Sequence, residues 1–250
     1  MSVPIQIKTF DFDLPKLPEI TCDEPLHPKL DEVPVLKGMN RNFIAFFLGN
    51  TGSGKTTTIS QLLLDKRMLN EVFDKILWVI PEASLESLGD TKLKNLPEDQ
   101  IFHELTAEVV EEIYERLRGY KEEGKRTLLV LDDVQHMLKG SREQRLTYMI
   151  ANHRHYGFSA AILCQTYKKC PVPIRMLATH LFTFNLSNGN YHLIFDELIN
   201  WDKRRFDAIV ETYKKFLKEN KKRSKAFLFF DLRNNKVFID WNNQLSSDLF

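Results

Sequence analysis

Gly49-Asn50-Thr51-Gly52-Ser53-Gly54-Lys55-Thr56, GNTGSGKT in one-letter code, is the stretch on which the fold turns. The pattern G-x-x-x-x-G-K-[ST] is short enough to arise by accident, so its flanks decide. Asn42-Phe43-Ile44-Ala45-Phe46-Phe47-Leu48 before it is an apolar block of strand length. After it, Thr57 to Lys66 sets Ile59, Leu62 and Leu63 at helical spacing. Strand, glycine loop and helix in this order make a phosphate cradle. Gly49, Gly52 and Gly54 let the backbone turn until successive N–H groups face an anion, and the helix adds its positive N-terminal end. The expected nucleotide-binding set is Gly49, Asn50, Thr51, Gly52, Ser53, Gly54, Lys55, Thr56 and Thr57. Within it, Lys55 reaches the β- and γ-phosphates of ATP and the Thr56 hydroxyl ligates Mg²⁺. The alternative is a flexible Gly/Ser loop ahead of a helix, which leaves both flanks unexplained.

A chain of 250 residues accommodates one α/β domain with a large core or two small ones. With 43% hydrophobic and 28% charged residues the composition is that of an ordinary soluble protein. MSVPIQIKTFDFD lacks the basic start and apolar core of a signal peptide, and no apolar run approaches the roughly 20 residues of a bilayer span. The expectation is a protein that is not secreted and has no membrane span. Cys22, Cys164 and Cys170 are odd in number and lack metal-ligand spacing, which points to a reducing, intracellular setting.

The net charge of +1 argues against coating nucleic acid with the whole surface, but the distribution is uneven. From Lys203 to Lys225 there are ten Lys/Arg against three acids, +7, which leaves about −6 elsewhere. Lys221, Lys222 and Arg223 in this stretch are candidate contacts to DNA phosphates. A solvated helix end, favoured by the negative C-terminal dipole, explains the same charges. No base-reading motif is present, so binding to double-stranded DNA is expected without sequence preference.

Residues 1–40 hold six of the ten prolines and little periodicity, and read as an extended arm that packs along the domain or a neighbour. Residues 41–250 read as the main domain. Lys75 to Ile80 forms a strand ending at Pro81, and Gln100 to Leu105 offers another. Thr106 caps a helix whose inner face carries Val109, Val110, Ile113, Tyr114 and Leu117. Thr127 to Asp133, Ala160 to Gln165 and His180 to Phe184 are further strands. Asp202 to Glu219 is an amphipathic helix, and 225–241 folds back around Arg233-Asn234-Asn235 as a hairpin. Strands alternating with helices imply a mainly parallel sheet covered by helices on both faces, with a C-terminal β-hairpin.

Ligands bind at the C-terminal edge of such a sheet, and three polar groups end strands there. Asp132 stands where a Walker B carboxylate holds Mg²⁺ or its water ligands. Asp133 can accept a proton from an attacking water. The Gln165 amide can contact the γ-phosphate or that water, or simply cap a loop. The carboxylate pair is also compatible with a helix cap or a surface turn.

GNTGSGKT, LLVLDD and ILCQT, in this order and at these intervals, resemble the FtsK–HerA superfamily of P-loop ATPases. More narrowly they resemble the genome-packaging ATPases of poxviruses, other large nucleocytoplasmic DNA viruses and virophages. Asn152-His153-Arg154-His155-Tyr156-Gly157 ahead of the Gln165 strand strengthens the likeness, which covers roughly residues 40–190. Many members carry Glu where Asp133 stands. The resemblance implies a RecA-like P-loop ATPase domain and a pentameric or hexameric homo-oligomeric ring with ATP at subunit interfaces. It also implies an arginine reaching into the neighbour's site: Arg154 first, then Arg175, Arg142 and Arg145. The implied function is a motor that moves double-stranded viral DNA into a capsid, with capsid proteins as partners, in the host-cell cytoplasm, the virus factory or the virion. Two other classes fit the sequence less well. A small P-loop nucleoside or metabolite kinase needs a compact Arg-rich lid, which is not seen. A nucleotide switch for GTP carries Asn-Lys-x-Asp after a strand, which Asn220-Lys221-Lys222-Arg223 is not.

Overall fold

The computed structural model describes residues 24–86, 94–134, 140–199, 201–221 and 225–245. The strands are β1 (Ile44–Gly49), β2 (Lys75–Val79), β3 (Ile101–Phe102), β4 (Thr127–Asp132), β5 (Phe158–Cys164), β6 (His180–Phe184), β7 (Leu228–Asp231), β8 (Lys236–Ile239) and β9 (Asn243–Leu245). The helices are α1 (Lys55–Leu64), α2 (Glu82–Glu86), α3 (Ala107–Glu122), α4 (Ser141–Ala151), α5 (Val172–Arg175), α6 (Asn188–Leu198) and α7 (Lys203–Glu219). One sheet takes every strand in the order β3-β2-β4-β5-β1-β6-β7-β8-β9. It is parallel from β3 to β6 and antiparallel from β7 onward. Its two margins are short, two residues at β3 and three at β9.

β1, β4 and β5 are buried at every residue, as unbroken apolar strands of a parallel sheet must be. Alternation then divides their side chains into two layers. Phe46, Leu48, Leu131 and Ile162 meet Ile113, Ile150, Ile194 and Phe206 from α3, α4, α6 and α7. Phe47, Val130 and Leu163 face the other way, against Ile59, Leu62 and Leu63 of α1. α1 is too short to cover that face alone. Leu30, Val35, Leu36 and Met39 complete it, together with Phe227, Phe229 and Phe238 from β7 and β8.

The arm therefore differs from the extended form expected. Its described part, 24–40, winds into two 3₁₀ turns, Pro28–Glu32 and Lys37–Met39, because its apolar residues fill the part of that core which α1 leaves open. Residues 1–23, including Cys22, lie outside the described residues. The C-terminal hairpin forms around Arg233–Asn235, where Asp231 Oδ1 accepts from the amides of Arg233 (3.1 Å) and Asn234 (3.0 Å). It is a three-stranded meander, since β9 adds to β8, and it continues the main sheet by pairing β7 with β6. The strand expected at Gln100–Leu105 shrinks to two residues. α3 begins as expected, with Thr106 Oγ1 accepting from the Val109 amide at 3.2 Å. The Asp202 carboxylate caps α7 by accepting from the amides of Arg204 and Arg205.

Candidate nucleotide site

β1 runs straight into the loop of residues 50–54, and α1 starts at Lys55. Gly52 and Gly54 adopt φ of +76° and +110°, values that side-chain-bearing residues rarely take. Gly49 is required for closeness: a Cβ there would lie 2.6 Å from Ser53 Oγ and 2.7 Å from Phe184 Cβ. The Lys55 ammonium donates to the carbonyls of Gly49 (2.7 Å) and Asn50 (3.2 Å), so the lysine lies folded over its own loop. Burial lowers its pKa, opposed by the charges of Asp133 and Asp132.

One strand, β5, separates β1 from β4, and its tip carries Gln165 into the gap between cradle and carboxylates. The Thr56 hydroxyl donates to Asp132 Oδ2 at 3.2 Å. Asp133, at φ +53°, turns the chain away from β4 while its amide donates to the Leu163 carbonyl at 3.1 Å. Gln165 Nε2 donates to Asp133 Oδ2 at 2.8 Å. The other oxygen, Asp133 Oδ1, is buried with no hydrogen-bond partner, and so is Ser53 Oγ in the loop. A cleft of about 340 Å³ brings Thr51, Gly52, Gly54, Lys55, Thr56 and Thr57 together with Asp132 and Asp133.

The chemistry of this cleft follows from its charges. Burial, then the neighbouring Asp133, pushes the pKa of Asp132 up to about 6, from an ordinary 3.8, against the lowering pull of Thr56 and Lys55. The folded state thus holds the proton more tightly than the unfolded chain. Asp132 costs stability as pH rises from about 4 through about 6, by on the order of 2–3 kcal/mol when fully ionised in metal-free protein. Asp132→Asn is therefore expected to stabilise the metal-free chain at pH 7 by about that amount and to leave it unchanged below pH 4, read from urea unfolding of both proteins. A difference that is flat with pH overturns this. Thr56 Oγ1 and Asp132 Oδ2 are hard oxygen donors on one wall of the cleft, a pair that fits a small divalent cation holding waters and phosphate oxygens in its other positions.

The expected arginines are scattered. Arg154 is exposed in the turn before β5, at the N-terminal edge of the sheet, opposite the cradle. Arg175 is committed to Glu197 (2.5 and 2.7 Å) and to the carbonyls of Lys168 and Cys170. Arg145 pairs with Glu111 and lies over the Tyr114 ring at 3.9 Å. Arg142 donates to the Leu105 carbonyl at 3.1 Å. Among the described residues, no arginine lines the cleft described above.

Lys221 is exposed, and Lys222 and Arg223 lie outside the described residues. The last lysine of the same basic stretch, Lys225, lies at the cradle instead. Lys225 Cβ sits 3.3 Å from the position a Gly54 Cβ would take, and Lys225 lines the cleft. The reason is the pairing of β7 with β6, the strand next to β1, which returns the C-terminal chain to the phosphate loop. No local signal in the sequence marks Lys225 as part of the site.

A family model described as "Poxvirus A32 protein" matches residues 36–240, and so extends into the C-terminal meander as far as the end of β8. No curated protein matches. Among solved structures, the DNA-packaging ATPase B204 of Sulfolobus turreted icosahedral virus aligns with a TM-score of 0.57 at 14% identity, over 79% of this chain and 96% of that one. The genome-packaging NTPase B204 of Sulfolobus turreted icosahedral virus 2, in complex with ATP-γ-S, aligns at 0.58 and 14%, over 79% and 96%. Its complex with AMPPCP aligns at 0.55 and 14%, over 80% and 96%. At this identity the likeness is one of fold.

Proposed function

This chain belongs to the poxvirus A32 protein family, and from that we propose that it is an ATP-hydrolysing motor that drives double-stranded viral DNA into a capsid. The observation that carries the chemistry is Asp133. One of its oxygens is held by Gln165 and the other is buried without a partner, in the same cleft as Lys55 and Thr56. A carboxylate in that state is an acceptor waiting for a proton donor. The packaging NTPases with this fold, one of them in complex with ATP-γ-S, support the reading. Nothing in the geometry favours a kinase or a GTP switch.

Phosphoryl transfer to water needs position and charge more than covalent chemistry. Lys55 leaves the carbonyls of Gly49 and Asn50 for the β- and γ-phosphate oxygens. Thr56 and Asp132 would hold Mg²⁺, which when bound neutralises charge on those oxygens. Asp133 Oδ1 takes the proton of the attacking water, and Gln165 holds the carboxylate in the orientation to do so. Arg154, on the far edge of the sheet, serves in trans, presented to the cradle of the next subunit in a ring of five or six. An arginine so placed stabilises transition-state charge by about 10³–10⁵-fold.

DNA is gripped through phosphates by the basic residues between Lys203 and Lys221 and by exposed Lys168 and Lys169 after β5. No described helix is long and apolar enough to cross a membrane. We place the protein in the host-cell cytoplasm or virus factory and in contact with capsid proteins during assembly. Long double-stranded DNA is expected to raise the ATP hydrolysis rate severalfold at low salt, irrespective of sequence. The stimulation fades as salt rises, because each neutralised phosphate releases counterion. Hydrolysis indifferent to DNA at every salt concentration rejects the motor.

A further inference from the structure

A second cleft, of about 480 Å³, opens beside the cradle and shares Gly54, Thr57 and Lys225 with it. Its far wall is built by the chain entering β7, with Phe227, and the chain leaving β8, with Asp240 and Trp241, and Gln61 of α1 also lines it. The Lys225 side chain, packed on Gly54, forms the divide between the two clefts. Resting on the nucleotide reading above, we propose that this second cleft receives the nucleoside half of the bound nucleotide, with Trp241 flanking the base and Asp240 accepting from a nucleoside N–H or O–H group.

The direction of the phosphate chain supports this. Lys55, Asp132 and Asp133 fix the γ end on the carboxylate side of the cradle. The α end must then leave by the opposite side, past the N-terminus of α1, and the wall there is Gly54, Thr57 and Lys225. The second cleft offers a nucleoside an aromatic surface, Phe227 and Trp241, set among hydrogen-bonding groups from Thr57, Gln61 and Asp240. Trp241 is partly buried, with its ring braced edge-on against Phe227 at 4.7 Å. Asp240 is fixed by its turn: φ is +57° and its amide donates to the Phe227 carbonyl at 2.9 Å. The same meander that covers the core thus places two recognition groups next to the phosphate loop.

The test compares ADP with inorganic tripolyphosphate, which shares the phosphates and lacks the nucleoside. The chain has three tryptophans, so ADP is expected to change the intrinsic fluorescence of the wild type, and Trp241→Phe should abolish most of that change. Asp240→Gly removes the carboxylate at a φ that glycine adopts without strain. It is expected to weaken ADP about tenfold while leaving tripolyphosphate unaffected. Trp241→Ala should do the same, and if its loss from the aromatic cluster unfolds the chain, the other two variants still decide. Folded Asp240→Gly and Trp241→Phe proteins that bind ADP as the wild type does, with the fluorescence change intact, overturn the proposal. Wild-type protein that binds neither ligand rejects the nucleotide site itself, a result distinct from that one.

Discussion

Lys55→Ala is expected to lower ATP turnover by on the order of 10²–10³-fold or more, the scale seen when one preorganised electrostatic group is removed from a transition state. The chain should stay folded. Lys55 donates only to the carbonyls of Gly49 and Asn50, and the helix behind it is held by Ile59, Leu62 and Leu63 in the core. The cradle's shape is set by glycine backbone, so the loop persists. What goes is the cation that follows charge onto the leaving phosphate. The decisive measurement pairs single-turnover hydrolysis with circular dichroism, and a folded variant that retains a tenth of wild-type turnover would reject Lys55 as the catalytic cation.

Asp133→Asn separates binding from chemistry. Asparagine tolerates the left-handed φ of +53° at this position, so the backbone is undisturbed. The amide cannot take a proton from water. Hydrolysis should fall by about 10²–10⁴-fold, the usual worth of a positioned general base, while nucleotide affinity changes little because Lys55, Thr56 and Asp132 remain. Gln165→Ala should give a smaller loss in kcat with KM unchanged, since it frees Asp133 without removing it. Wild-type turnover in Asp133→Asn would send the base assignment elsewhere.

The cradle and the acidic strand were legible because their signals are local. Eight residues with apolar flanks specify strand, loop and helix, and LLVLDD announces both its burial and its polar tip. The bond between Gln165 and Asp133 was not legible, although both residues were marked. It depends on β5 lying beside β4 and on the turn at Asp133, which are facts of strand order. α6 was missed because it opens with Asn188-Gly189-Asn190, residues of a turn, and Ser187 caps it. α4 carried its signal in Leu146, Met149 and Ile150, all buried, within an otherwise polar stretch. Lys225 escaped for a different reason. Its apposition to Gly54 is long-range, made by antiparallel pairing at the far side of the sheet, and charge patterning read it as one more lysine in a basic run.

The sheet's narrow margins bear on how many copies can crowd together safely. A strand edge with free amides and carbonyls invites another chain to add on, and natural proteins shorten such edges to prevent it. Among the described residues, the margins are Ile101 and Phe102 at one side and Asn243 to Leu245 at the other, little backbone to template an aggregate. Copies that meet at high local concentration must therefore associate through side chains and loops. Contacts of that kind can break and re-form as subunits shift, where a continuous ladder of backbone bonds would lock them.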